Sequence, residues 1–111
     1  MGSLSVGEVV LARFPFSDLT SQKLRPCLVL GLAEFEDVIL CQITSRSYRS
    51  KRAIALTKKD FRRGSIVVDS FIIPDKIATL DTSMIVRTLG ELKKAKLDEV
   101  KAVLKKVLEI S

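Results

Sequence analysis

The chain alternates short apolar runs with polar turns until its last fifth, where the period changes. Residues 7–16 (GEVVLARFPF) predict a first strand, with Val9, Leu11 and Phe14 on one face and Pro15 confining it to an edge or a strand end. Residues 17–24 (SDLTSQKL) read as a loop. The run 27–32 is apolar almost without interruption and predicts a second strand, either buried on both faces or part of a barrel wall. A turn at 34–37 and the run 38–44 (VILCQIT) predict an antiparallel hairpin. Residues 52–57 predict a short fourth strand, 58–64 (KKDFRRG) a turn and 65–73 a strand broken or bent at Pro74 and Asp75. A further short strand is expected over 76–80. Asp81, Thr82 and Ser83 offer side-chain oxygens to cap a helical turn through residues 84–86.

From residue 93 the apolar positions Leu97, Val100, Leu104 and Val107 follow helical spacing, with Lys101, Lys105 and Lys106 on the other side. An amphipathic helix over 93–109 is predicted to close the structure. Short strands with turns between them, then one helix, predict a mainly β fold with helical additions: a small antiparallel barrel or a strongly bent sheet. With 111 residues, one domain spanning 1–111 is expected.

Composition narrows the chemistry. There is no histidine, which removes the commonest general base and the commonest zinc ligand together. Cys27 and Cys41 lie in apolar strands and read as small buried hydrophobes, so neither a metal site nor a disulfide is expected. No apolar stretch approaches the length of a membrane helix, and the start MGSLSVGEVV lacks the pattern of a signal peptide, which predicts a cytoplasmic protein. The net charge is +6, and eight of the 19 Lys and Arg residues fall between Arg46 and Arg63 with only Asp60 opposing them. Such clustering suits a polyanion.

Two stretches give that partner a chemistry. In LRPCLVLG, residues 24–31, Pro26 holds Arg25 in an extended conformation at the start of a strand. A guanidinium aimed by a stiff backbone matches phosphate oxygens with a fork of donors. In CQITS, residues 41–45, Thr44 and Ser45 stand where the third strand meets the basic loop SRSYRSK. If strands two and three form a hairpin, Arg25 and Thr44 are neighbours at one rim. Arg46, Tyr48 and Arg49 in that loop are candidates for binding, Tyr48 by stacking on a base.

GEVVLARFPF, the RP that opens an apolar strand, the strand ending in ITS, and IPDKIATLD followed by MIVRTLGEL and a closing helix come in the order in which the PemK/MazF family of toxins carries such features. The sequence resembles that family along nearly its whole length. The resemblance implies an SH3-like antiparallel β-barrel, usually dimeric, and a metal-independent endoribonuclease of a type II toxin–antitoxin system that cuts single-stranded RNA and is held by a cognate antitoxin. It implies no cofactor. It makes Arg25 and Thr44 the catalytic pair. Arginine keeps its proton near neutrality, so Arg25 is better suited to stabilising the phosphorane, and Thr44 to orienting the reacting groups. The 2′-hydroxyl of the RNA is the nucleophile. Lys76 carries over as a basic residue near the groove, and Gln22 and Lys23 as binding residues before the RP pair.

In one place the chain departs from the pattern. Many relatives carry an acidic residue in the loop before RP; here it reads TSQKLRP, with no carboxylate nearer than Asp18. Two other readings stand beside the ribonuclease: a toxin that acts by binding DNA gyrase, and a nucleic-acid-binding module without activity. A homodimer is expected to share apolar surface from the strand before Pro74 or from the closing helix.

Overall fold

The computed structural model describes residues 4–15, 22–46 and 51–109. Seven strands, β1 (Glu8–Pro15), β2 (Gln22–Leu32), β3 (Asp37–Thr44), β4 (Ile54–Leu56), β5 (Phe61–Gly64), β6 (Ser70–Asp81) and β7 (Ile85–Leu92), precede one helix, α1 (Lys94–Leu108). The strands form one sheet in the order β4-β6-β3-β2-β1-β7-β5. Every neighbouring pair is antiparallel. The sheet curls into the half-barrel of an SH3-like fold, and α1 packs across it.

The unbroken apolar runs of β2 and β3 are explained by burial on both faces. One face packs Val9, Leu28, Cys41, Ile43, Ile72 and Leu92 with Val100 of α1. The other packs Val10, Ala12, Phe14, Cys27, Val29 and Leu40. Phe14 therefore belongs with Val10 and Ala12 rather than with Val9 and Leu11, because strand alternation gives even and odd positions to opposite faces. The two cysteines are free and buried on opposite faces, out of reach of a disulfide.

The β2–β3 hairpin turns at residues 34–37, closed by the Ala33 N–H donating to Asp37 O at 3.0 Å and the Asp37 N–H to Glu34 O at 3.2 Å. Phe35 (φ 59°) and Glu36 (φ 63°) occupy its tip in left-handed conformations that usually select Asn or Gly. No Lys or Arg lies between Pro26 and Ser45, whereas Glu34, Glu36 and Asp37 cluster at this tip. The hairpin is cationic at its open end and anionic at its turn.

Several elements differ from the sequence pattern. Residues 70–81 form one continuous strand rather than two. Its pairing to β3 jumps from Gln42↔Ile73 to Cys41↔Ile77, so Pro74, Asp75 and Lys76 form a bulge. Pro74 has no N–H to give a ladder and is accommodated there. Asp81 does cap a turn, its carboxylate accepting from the Ser83 N–H at 2.8 Å, but the turn ends at Met84. The chain then runs straight into β7, which the pattern did not predict. Nor did it predict β5: residues 58–60 make one 3₁₀ turn under a Thr57–Asp60 capping box, and residues 61–64 extend to pair with β7. Residues 65–69 are not a strand but a loop, pinned by the buried Ile66 while Val67 and Val68 face outward.

Candidate functional site

The β1–β2 register runs unbroken from Val9↔Leu28 to Pro15↔Gln22 and sets Arg25 opposite Ala12. On its other side β2 pairs Leu28 with Cys41 and Cys27 with Gln42. Continued by two residues, that register faces Arg25 with Thr44. Alternation puts both side chains on the surface that carries Cys27 and Gln42. Each is partly buried. The arginine and the threonine thus emerge side by side at the rim of the curl.

The neighbours tune both groups. Cys27 Sγ donates to the Arg25 carbonyl at 3.6 Å, fixing the backbone just before Pro26. The thiol is pushed up to about 12 by burial, with the Arg25 charge pulling the other way, which places a cation beside it. The Nε of Arg25 is buried. Thr44 Oγ1 accepts from the Arg46 N–H at 3.2 Å. An oxygen that already accepts a hydrogen bond is less basic and keeps its own proton to donate. This hydrogen bond leaves the Thr44 hydroxyl proton available for donation.

The other predicted residues divide by place. Lys23, across from Phe14, and Ser45 and Arg46, just past β3, are exposed near the same rim. Gln22 opens β2 opposite Pro15. Lys76 is exposed in the β6 bulge beside Gln42, two residues before Thr44. Tyr48 and Arg49 lie outside the described residues.

The basic cluster is less uniform than its sequence suggests. Arg63 bridges Glu8 (3.7 Å) and Glu91 (3.2 Å), and Arg62 reaches Glu91 at 3.7 Å. Those two carboxylates are paired across β1 and β7, so the arginines of β5 neutralise a like-charge pair and hold the edge strand in place. Arg52 meets Asp75 at 3.9 Å. These three arginines face carboxylates of the sheet.

A cavity of about 270 Å³ opens beside Arg25, walled by Leu11, Pro26 and Ile43 of the sheet and by the loop 65–69, with Ser45, Ser65 and Ser70 among its polar groups. Ser65 in this loop and Ser70 just after it were missed in the sequence because SIVV, residues 65–68, imitates a strand. Among the described residues no group of His, Cys, Asp and Glu is placed to hold a metal ion. No described helix is long and apolar enough to cross a membrane.

Residues 5–108 match the model of the PemK-like, MazF-like toxins of type II toxin–antitoxin systems, and the protein belongs to that family. Among solved structures, it is similar to an endoribonuclease in complex with its cognate antitoxin from a Mycobacterial species (17% identity over 98% of each chain, TM-score 0.77). It is similar also to MazF from Deinococcus radiodurans (22% identity, 99% of this chain and 100% of that one, TM-score 0.77). The MazE–MazF complex from the same organism matches at 24% identity, with 97% and 98% covered and a TM-score of 0.76. At these identities the likeness establishes the fold. No curated protein matches the sequence.

Proposed function

We propose that this toxin is an endoribonuclease that cuts single-stranded RNA at the rim formed by Arg25 and Thr44. The observation that carries the reading is the cross-strand placement of these two side chains in a chain of the PemK/MazF family. The 2′-hydroxyl gives its proton to solvent water as its oxygen bonds to the adjacent phosphorus; the P–O5′ bond breaks and the departing 5′-oxygen takes a proton from water, leaving a 2′,3′-cyclic phosphate and a 5′-hydroxyl. Charge accumulates on the non-bridging oxygens as the bond forms. The Arg25 guanidinium stabilises it there, and a charge-assisted donor of this kind gains strength in a partly desolvated setting. The Thr44 hydroxyl donates a hydrogen bond to a phosphate or ribose oxygen, keeping its proton, and fixes the angle of attack. Lys23, Arg46 and Lys76 hold the flanking phosphates. The chemistry calls on no histidine and no metal ion. It acts in the cytoplasm, and a cognate antitoxin, such as accompanies the similar solved proteins, silences it by covering the basic rim.

Incubation with RNA and DNA in EDTA tests this. RNA is expected to be cut to products with cyclic phosphate ends, DNA to remain intact, and Arg25→Ala to lose cleavage by a factor of roughly 10²–10³ with its fold intact. Intact RNA together with inhibited DNA supercoiling would refute it in favour of gyrase binding.

A further inference from the structure

A second cavity, about 630 Å³, opens at the turn end of the β2–β3 hairpin, away from Arg25. Leu4, Leu32, Ala33, Ile85 and Val86 give it apolar walls, two of which, Leu32 and Val86, are exposed. Glu8, Glu36 and Asp37 line it too, and Arg87 is the one cation among the described lining residues. Glu8 is already engaged by Arg63, so Glu36 and Asp37 set the charge that a ligand meets. A groove of this size takes several groups of a ligand at once.

Two features of this end are unfavourable to the chain on its own. Asp37, at the start of β3, stands directly opposite Asp81, at the end of β6. Like charges placed so destabilise a sheet. Glu8 and Glu91 form the same kind of pair, and there Arg62 and Arg63 neutralise it. Among the described residues the ion pairs of Arg52, Arg62, Arg63, Lys94 and Lys96 all go to other carboxylates, and none reaches Asp37 or Asp81. The Ser83 N–H donates to Asp81 but brings no positive charge. The second feature is Phe35, which holds φ 59° and is 88% exposed, a left-handed conformation with no burial to offset it. Its ring stands between Glu34 and Glu36 in the chain, and a π-face in such a field attracts a cation.

We propose that this groove docks a basic segment of a partner protein, one in which lysine or arginine alternates with apolar side chains. Glu36, Asp37 and Asp81 take its cations, Phe35 stacks on one of them, and the aliphatic walls take its apolar groups. Charge complementarity selects the occupant: in a chain of net charge +6, this is the end that attracts a polycation. A small cation alone leaves the apolar walls uncovered, and an uncharged ligand leaves the Asp37–Asp81 repulsion in place. A nucleic acid is repelled here and drawn to the opposite rim, so the two ligands do not compete for one surface. The proposal does not rest on RNA cleavage.

The test titrates fluorescein-labelled KLKLKLK and KSKSKSK peptides with the full chain at low salt, followed by fluorescence anisotropy. The leucine peptide is expected to bind roughly tenfold tighter than its serine counterpart, the worth of one buried leucine side chain. Glu36→Gln combined with Asp37→Asn is expected to weaken it roughly fivefold. Phe35→Gly is expected to raise the melting temperature, since glycine takes a positive φ freely, and at the same time to lower peptide affinity. Arg25→Ala is expected to bind the peptide as the parent does. Equal affinity for the two peptides, or tip variants that bind like the parent, overturns the proposal. So does displacement of the peptide by an equal concentration of spermidine, which would reduce the site to charge alone. Light scattering on the same samples covers the remaining occupant: self-association that the Glu36 and Asp37 substitutions abolish assigns the groove to a second copy and overturns it too.

Discussion

Arg25 and Thr44 owe their meeting to Pro26. The proline does not open the strand as its sequence position suggests: it is the fifth residue of β2, opposite Leu11 of β1 and just before the β3 pairing begins at Cys27, and it leaves Arg25 in extended backbone beside Ala12. Replacing the fork by a point charge isolates what the guanidinium does. Arg25→Lys is expected to retain RNA binding within a fewfold yet to cut at least tenfold more slowly, as separate binding and single-turnover assays will show. At Thr44 the prediction concerns the hydroxyl alone: Thr44→Ser keeps most of the cleavage rate and Thr44→Val loses it. Equal rates for the two variants refute a role for Thr44 Oγ1. The pair was legible in the sequence because each residue sits at the end of an apolar run, and two runs with a short turn between them have one register that buries both. The loop serines were not legible. Nothing in SIVV tells a strand from a loop whose single inward residue, Ile66, is held by contacts far away in the chain.

The buried thiols act at the same scale on stability. Cys27 and Cys41 are both pushed up to about 12 by burial, from about 9. In the unfolded chain they ionise near 9 while the folded chain still holds its protons. Their contribution is therefore complete below pH 9 and is lost as pH rises from 9 towards 12, at about 1.4 kcal/mol per pH unit for each thiol. Urea unfolding between pH 8 and 10.5 is expected to show a steeper alkaline decline in the parent protein than in Cys41→Ala. Parallel slopes refute the assignment.

Among the elements, β5 is held to the sheet by unusual means. Its only buried residue is Phe61, and its partner positions join Arg63 to Glu91 and Gly64 to Gly90. Gly64 has φ 67°, and a Cβ there would stand 2.2 Å from the Leu89 carbonyl oxygen. Two glycines facing each other let the backbones approach, and the positive φ launches the loop 65–69. Gly64→Ala is expected to cost more than about 1 kcal/mol and to raise exchange of the loop amides, read by hydrogen–deuterium exchange. A parent-like pattern refutes the role. Helix α1, by contrast, could be read from the sequence alone, since its 3-4 spacing delivers Val100 to the core with no exposed surface. β7 could not: its burial comes from Gly90 and Leu92 near its end, and its first residues follow a capped turn that resembles the start of a helix. Charge clustering misled for a related reason. Linear density says nothing of which carboxylates fold back against it, and Glu8 and Glu91 do so from 55 and 28 residues away from Arg63.

At the scale of the whole molecule, both faces of the sheet carry packed cores, and the large apolar residues left exposed among those described include Leu24, Leu32, Phe35, Val67, Val68 and Leu108. Ile72 and Ile73, just before Pro74, are buried, while Val67, Val68 and Leu108 are exposed. The expected homodimer is therefore sought at the end of α1: light scattering at micromolar concentration should give twice the 12.3 kDa chain mass, and Leu108→Glu should return it to one. A monomeric parent refutes this. RNA affinity should fall steeply with salt, because the rim contacts release counterions from the nucleic acid. The β2–β3 hairpin adds a direction to that attraction. With Arg25 and Arg46 where it opens and Glu34, Glu36 and Asp37 where it turns, the hairpin behaves as a compass needle near a polyanion, favouring an approach in which Arg25 leads and Phe35 trails.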